Sequence, residues 1–221
     1  MATKRDGVFV WITWLARVMA GEQSCEWASW FKAHYENYHK APSDFDTAKW
    51  NIDHTRRLRQ LRLERSKLGE RVFLEGENAI RLTLPSGLVV AGKPDLVTLP
   101  EGQPTVPTDG QPTTLGVGQP TIYDVKTGRE RCSDRIQAML YMHLLPQAIP
   151  TYGGTRPAGC VVYSGSKVDI PPEAVDQKFI EAFEYFLGVI GSLEPALKVP
   201  SRNECRFCDI ARTECPERIE G

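Results

Sequence analysis

The chain has 221 residues, enough to bury one good-sized core, so a single domain with appendages is expected. Its 41% hydrophobic and 25% charged residues match an ordinary globular protein and speak against a disordered or membrane-embedded one. A net charge of −1 excludes no nucleic-acid partner, because local clustering of Lys and Arg decides that question.

Lys4 and Arg5 precede the apolar run VFVWITWLA, and Ala20-Gly21 follow, which has the outline of a secretory leader. The periodicity argues otherwise. Trp11, Trp14, Leu15, Val18 and Met19 fall at i, i+3, i+4, i+7 and i+8, the pattern of an amphipathic packing helix over 9–19. No segment approaches the ~18 apolar residues of a membrane span, so no membrane partner is expected. A cytoplasmic location follows, where six cysteines are more readily ligands or free thiols than disulfides.

A second helix over about 23–40 carries Trp27, Trp30, Phe31, Tyr35 and Tyr38, and the two helices together read as a cap. A third, about 46–69, places His54 on one face with Leu58, Leu61 and Leu68. Its other faces begin a basic stretch: Arg56, Arg57, Arg59, Arg62, Arg65, Lys67 and Arg71 against only Glu64 and Glu70, a stretch that would attract a phosphate backbone. Arg56, Arg57 and Arg59 are its candidate DNA contacts.

Strand-like segments follow at RVFLEGENAIRLTL, LVVAGKPDLVTL and TIYDVKT, and three in succession predict a meander. Next come a helix from Ser133 to Leu145 closed by Pro146, strands at AGCVVYS and KVDI, and a helix over about 172–193 striped by Val175, Phe179, Ala182, Phe183, Phe186 and Ile190. The predicted fold class is α/β, with a core ordered helix, three-stranded meander, helix, strand. Between the second and third strands, over 100–121, the tetrapeptide GQPT recurs at Gly102, Gly110 and Gly118. This strict period, rich in Pro and poor in large apolar residues, predicts a mobile hairpin tip expanded by duplication.

The chemistry-bearing residues sit on the second and third segments, in Gly92-Lys93-Pro94-Asp95 and Tyr123-Asp124-Val125-Lys126. Asp95 and Asp124 are hard oxygen ligands suited to Mg²⁺ or Mn²⁺. Alternation along a strand puts Asp124 and Lys126 on one face, the ammonium beside the carboxylate, and the carbonyl of Val125 offers a further ligand. Alone, D-x-K reads as a surface ion pair. In this context it resembles the PD-(D/E)XK nuclease superfamily, with literal PD at Pro94-Asp95, and more narrowly its RecB-like branch. That branch carries Q-x-x-x-Y on the helix after the catalytic strand, matched by Gln137 and Tyr141, and a histidine on the helix before the sheet, matched by His54. The resemblance implies a restriction-endonuclease-like core, Gln137 and Tyr141 at the active site, and His54 as a metal ligand favouring Mn²⁺. Asp95 and Asp124 lie 29 positions apart, more than the family needs; removing two eight-residue units restores an ordinary hairpin of 13. Glu75 reads as a solvent-facing or salt-bridged strand residue rather than an acidic helper.

Cys205, Cys208 and Cys215 form C-x₂-C-x₆-C, with the bite that soft metals want, and need a fourth ligand among Cys25, Cys132 and Cys160. The resemblance selects Cys25: CRISPR-associated RecB-like exonucleases and AddB-type helicase–nuclease subunits hold a [4Fe-4S] cluster with one cysteine upstream of the core and three behind it. Their C-terminal spacing is one residue shorter, and zinc is the alternative occupant. The implied layout is one nuclease domain: a helical cap over 1–45 that supplies one cluster cysteine, a PD-(D/E)XK core over 46–193, and a cysteine-ligated cluster tail over 194–221. The expected function is metal-dependent DNA hydrolysis by a single-strand exonuclease, of prokaryotic or viral origin, processing ends in CRISPR spacer acquisition beside integrase proteins. Two alternatives stay open: the same chemistry in repair, phage or mobile-element processing, and a catalytically silent, metal-stapled DNA-binding adaptor.

Overall fold

The computed structural model describes residues 2–100 and 119–220, so the GQPT repeats and their expected mobility lie outside the described residues apart from the last repeat's Gln119, Pro120 and Thr121. The elements in chain order are β1 (Thr3–Lys4), β2 (Phe9–Trp11), α1 (Ile12–Met19), α2 (Glu26–His34), β3 (Tyr35–Glu36), α3 (Thr47–Lys67), β4 (Glu70–Leu74), β5 (Ile80–Thr83), β6 (Val89–Gly92), β7 (Leu96–Pro100), β8 (Thr121–Val125), α4 (Cys132–Ala148), β9 (Ala158–Val162), β10 (Lys167–Ile170), α5 (Gln177–Gly191) and α6 (Arg202–Arg206). The fold is mixed α/β, with three sheets and six α-helices among the described residues. No helix among them is long and apolar enough to cross a membrane.

Two compact units divide the chain. The first to consider comprises 47–80 and 93–175. Its sheet has the order β10-β9-β8-β7-β4, in which β4, β7 and β8 form the antiparallel meander and β9 runs parallel to β8. A parallel neighbour needs a crossover, and α4 supplies it. Helix, meander, helix and strand thus occur in the expected order, as α3, β4-β7-β8, α4 and β9.

The two long strand segments each break in two, contrary to the sequence reading. After β4 the chain turns at Glu75–Asn78, where the fully buried Asn78 amide donates to the carbonyls of Phe73 (2.8 Å) and Leu74 (3.2 Å) and accepts from the Tyr152 hydroxyl at 3.0 Å. An asparagine that answers backbone carbonyls in this way competes with strand pairing and fixes a bend. The second break falls at Lys93-Pro94, where proline lacks the N–H that a ladder requires. The intervening β5 and β6 join β2 in another sheet of order β2-β6-β5.

Helix α3 packs on one face of the five-stranded sheet through Leu61, which meets Leu96, Tyr123, Val125 and Cys160. His54 and Leu61, two turns apart, are its buried residues, whereas Leu68 is 69% exposed and falls off the expected stripe. The helix stops at Gly69, whose φ of +78° is the left-handed conformation that glycine adopts without strain. Helix α4 packs beside β8 and β9 and runs to Ala148, through Pro146 rather than stopping at it. The proline sits in the last turn, and Ile149 N–H still closes on the Leu145 carbonyl at 3.0 Å.

The second unit comprises 1–46, 81–92 and 176–221. Residues 9–11 are a strand, not the start of a helix: Val8–Trp11 is β-branched and aromatic, and β2 runs parallel to β6 with Val10 opposite Val90. The second helix is shorter than expected, ending at His34, where Tyr35 and Glu36 turn extended to pair with β1. Trp27, Phe31 and Tyr35 stack in series, with centroids 4.9 Å apart at each step, and the core adds Trp30, Ile210 and Cys215. Helix α5 begins at Gln177, capped by the Asp176 carboxylate accepting from Phe179 N–H at 2.8 Å, and buries Phe179, Phe183, Leu187 and Ile190.

Gly159 on β9 gives a direct test of the packing around the site-bearing strand. A Cβ there would lie 2.7 Å from Met142 Sδ on α4 and 3.4 Å from Ile170 Cβ. Gly159→Ala is expected to destabilise the protein by about 1–3 kcal/mol through overpacking, read as a lower urea midpoint at unchanged slope.

Candidate functional site

Strand β8 ends in a buried carboxylate. Asp124 is 2% exposed, and its Oδ2 lies 2.8 Å from Lys126 Nζ, an ion pair set too far off axis to be a directed hydrogen bond. The ammonium also donates to Gln137 Oε1 at 2.9 Å. Gln137 in turn donates to Asp124 Oδ1 at 3.3 Å and to the Tyr141 hydroxyl at 3.1 Å. The i, i+4 spacing of Gln137 and Tyr141 on α4 brings both over the end of β8, so one amide holds acid, lysine and tyrosine in a single network.

Asp95, just before β7, meets this network from the neighbouring strand, its Oδ2 accepting from Val125 N–H at 2.6 Å. From α3, His54 Nε2 stands 3.2 Å from the same oxygen, with its ring stacked on Trp50 at a centroid distance of 5.0 Å. Glu75 joins them: ligand atoms of His54, Glu75 and Asp95 all lie within 4.8 Å of one another. A set of imidazole nitrogen and carboxylate oxygens fits Mn²⁺ or Mg²⁺. The structure therefore brings together His54, Asp95, Asp124, Lys126, Gln137 and Tyr141, with Val125 taking part through its N–H.

Two further residues belong to the same site: Glu75, expected from the sequence to be a solvent-facing or salt-bridged strand residue, and Asp134, which the sequence reading did not single out. Glu75 sits in the turn after β4, and the break of that strand is what aims it inward. Asp134, buried at the start of α4, places Oδ1 3.7 Å from Lys126 Nζ, while Oδ2 accepts from Tyr163 OH at 2.9 Å and Arg131 N–H at 3.1 Å. Its place three residues ahead of Gln137 was the available signal.

The charges are strongly perturbed. Burial, opposed by Lys126 and reinforced by Asp95, pushes the Asp124 carboxyl up to about 6. Burial also works against the Lys126 ammonium, but Asp124, Asp134 and Asp95 outweigh it and hold the lysine above its usual value. His54 is raised chiefly by its hydrogen bond to Asp95, against desolvation.

The candidate DNA-contact arginines separate. Arg57 points inward, its Nη1 donating to the Lys126 carbonyl at 2.9 Å, and so pins the end of β8. Arg56, 3.7 Å from Asp53, and Arg59 are exposed and line an outer groove on α3 with Ile52, Leu63 and Lys67.

In the other unit, Cys25, Cys205, Cys208 and Cys215 line one cavity, and Cys132 and Cys160 have no part in it. Val199 N–H points to Cys25 Sγ and Ile219 N–H to Cys205 Sγ, each at 3.4 Å, and the first of these contacts favours the Cys25 thiolate. Burial pushes the thiols of Cys25, Cys208 and Cys215 up, and the same cavity presents Arg17, Lys32, Lys198 and Arg218 as counter-charges for thiolates. Four thiols around one cavity are a donor set that suits either a [4Fe-4S] cluster or tetrahedral zinc.

No family model matches the chain, and no curated protein matches it. Among solved structures, the crystal structure of SSO0001 aligns with 99% of this chain and 90% of its own at 15% identity and a TM-score of 0.46, a likeness too slight to transfer a fold or a site.

The geometry makes Lys126 a competitor for any cation at Asp124. Lys126→Met is expected to tighten Mn²⁺ binding several-fold, and Asp134→Asn, which leaves Asp124 as the only carboxylate paired with the ammonium, to weaken it, both read by titration calorimetry. Protons compete at both His54, raised above its usual 6.5, and Asp124, raised to about 6, so Mn²⁺ affinity should already decline as pH falls through the His54 range and steepen below about pH 6.

Proposed function

We propose that the chain is a metal-dependent DNA nuclease of the PD-(D/E)XK superfamily, RecB-like branch, acting as a single-strand exonuclease. The observation that carries this reading is the clasp of Lys126 between Asp124 (2.8 Å) and Gln137 (2.9 Å), beside Asp95, His54 and Glu75. A D-x-K pair on the surface would not be buried, shared with a glutamine and faced by three further ligand groups.

His54, Glu75, Asp95 and Asp124, with the Val125 carbonyl, are the residues that would hold Mn²⁺ or Mg²⁺. Bound there, the ion supplies Lewis-acid polarisation of the scissile phosphate and a water of lowered pKa. Lys126 directs its ammonium toward charge gathering on the phosphoryl oxygens. Gln137 fixes the lysine's position, and Tyr141, its hydroxyl held protonated by burial beside Asp124, serves as a donor rather than a base. Arg56 and Arg59 face solvent as contacts for the nucleic-acid backbone. In the other unit, Cys25, Cys205, Cys208 and Cys215 would hold a [4Fe-4S] cluster, a staple between distant parts of the sequence. Trimming ends for CRISPR spacer acquisition is the setting that the residue pattern resembles most.

The test is cleavage of end-labelled single- and double-stranded DNA with Mn²⁺ or Mg²⁺. Wild-type protein is expected to shorten single strands from an end, and Lys126→Ala to lose at least ~100-fold in rate. Equal rates would reject the site. Anaerobic purification should yield a brown protein whose absorbance is lost in Cys208→Ala; a colourless protein with one zinc per chain would reject the cluster.

A further inference from the structure

The C-terminal tail carries a second charged feature, which shares Arg218 with the cysteine cavity. Arg202, Arg206, Arg212 and Arg218 line one open concavity, with Glu220 as its single acidic residue. Arg202 and Arg206 lie one turn apart on α6 and are exposed.

The sequence hides this charge because the tail is as rich in acids as in arginines. The fold separates them. Glu204 accepts N–H bonds from Ser24 (3.0 Å) and Cys25 (3.2 Å), and Asp209 meets Lys32 (3.5 Å) and the Tyr38 hydroxyl (2.9 Å). Glu214 meets His39 at 2.9 Å, and Glu217 meets Lys198 at 3.0 Å. Four acids are thus spent on partners away from the concavity, and the arginines are left facing it, apart from a loose 3.8 Å contact of Arg212 with Glu220. One of them is built in: Arg218 Nη1 donates to the carbonyls of Cys208 (2.9 Å) and Ile210 (2.8 Å), which fixes its guanidinium plane. Beside the arginines Phe207 is 63% exposed, with the Arg206 guanidinium 5.5 Å from its ring centre.

We propose that this concavity is a binding surface for the backbone of a single-stranded nucleic acid, carried by the unit that lacks the nuclease residues. The chemistry favours that occupant over an acidic peptide. Guanidinium forks match phosphate oxygens in pairs, four of them span more than one phosphate, and an exposed phenyl ring offers a base a face to stack on. In taking nucleic acid as the partner, the inference rests on the proposed nuclease reading.

The experiment measures fluorescence anisotropy of a labelled single-stranded oligonucleotide over a range of salt, with cluster-loaded full-length protein in a Lys126→Ala background that prevents cleavage. Arg202→Ala/Arg206→Ala/Arg212→Ala is compared with its parent, Arg218 being spared because it braces the tail. The triple variant is expected to lose ~10- to 100-fold in affinity and to flatten the salt dependence by about two units of slope, close to 0.7 per phosphate contact. Phe207→Ala should lose affinity for single strands and not for duplex. Unchanged affinity and slope in a folded triple variant, shown by retained cluster absorbance, would overturn the proposal. So would equal competition by an acidic peptide of the same charge, which would assign the surface to protein. Hydrolysis of a small p-nitrophenyl phosphodiester, with the triple variant in an otherwise wild-type chain, keeps the two readings apart. Its absence from wild type counts against the nuclease, while the binding result stands on its own.

Discussion

A carboxylate with almost no access to water, Asp124, is the constraint around which the site-bearing unit is arranged. Burying an ionised acid costs several kcal/mol unless charge and hydrogen bonds answer it. Here Lys126 answers one oxygen and Gln137 the other, and each helper needs its own support. Lys126 is shared with Asp134, Gln137 is steadied by Tyr141, and Asp134 is tied to Tyr163 and to the start of α4. The chain of dependence runs from the end of one strand through a whole helix to the neighbouring strand. Such a network is retained for what it does, because an apolar core in its place would be at least as stable.

Much of this was legible wherever a single local pattern determines the outcome. Asp124 and Lys126 share a face because strands alternate, and Gln137 and Tyr141 share one because helices repeat every 3.6 residues. Helix α3 was legible for the same reason, as was the order of the central elements. The cysteine spacing singles out Cys205, Cys208 and Cys215, and the upstream Cys25 comes from the resemblance alone; in the fold all four thiols line one cavity.

What stayed hidden depends on contacts that no local pattern records. The segments 71–84 and 88–99 have the composition of unbroken strands, and only a buried Asn78 answered by Tyr152, with a proline at 94, makes them bend and separate. Glu75 lies in the first of these bends, so its approach to His54 and Asp95 could not be read from strand alternation. Arg57 looked like its neighbours on a basic helix, yet it is used to hold a backbone carbonyl. The hydrophobic pattern says which residues are buried and not against what, so it is silent on the grouping of 81–92 and 176–221 with 1–46.

The interleaving of the two units imposes an order on how the protein can be made. Residues 47–80 and 93–175 are complete once position 175 has emerged from the ribosome, and their strand pairings are then all available. The other unit has Trp27, Trp30 and Phe31 early in the chain, but their packing partners Ile210 and Cys215 arrive last. For nearly the whole of synthesis those aromatic rings and the Cys25 thiol have no partners from the tail. The packing of this unit is therefore closed by long-range contacts, which form later than local ones.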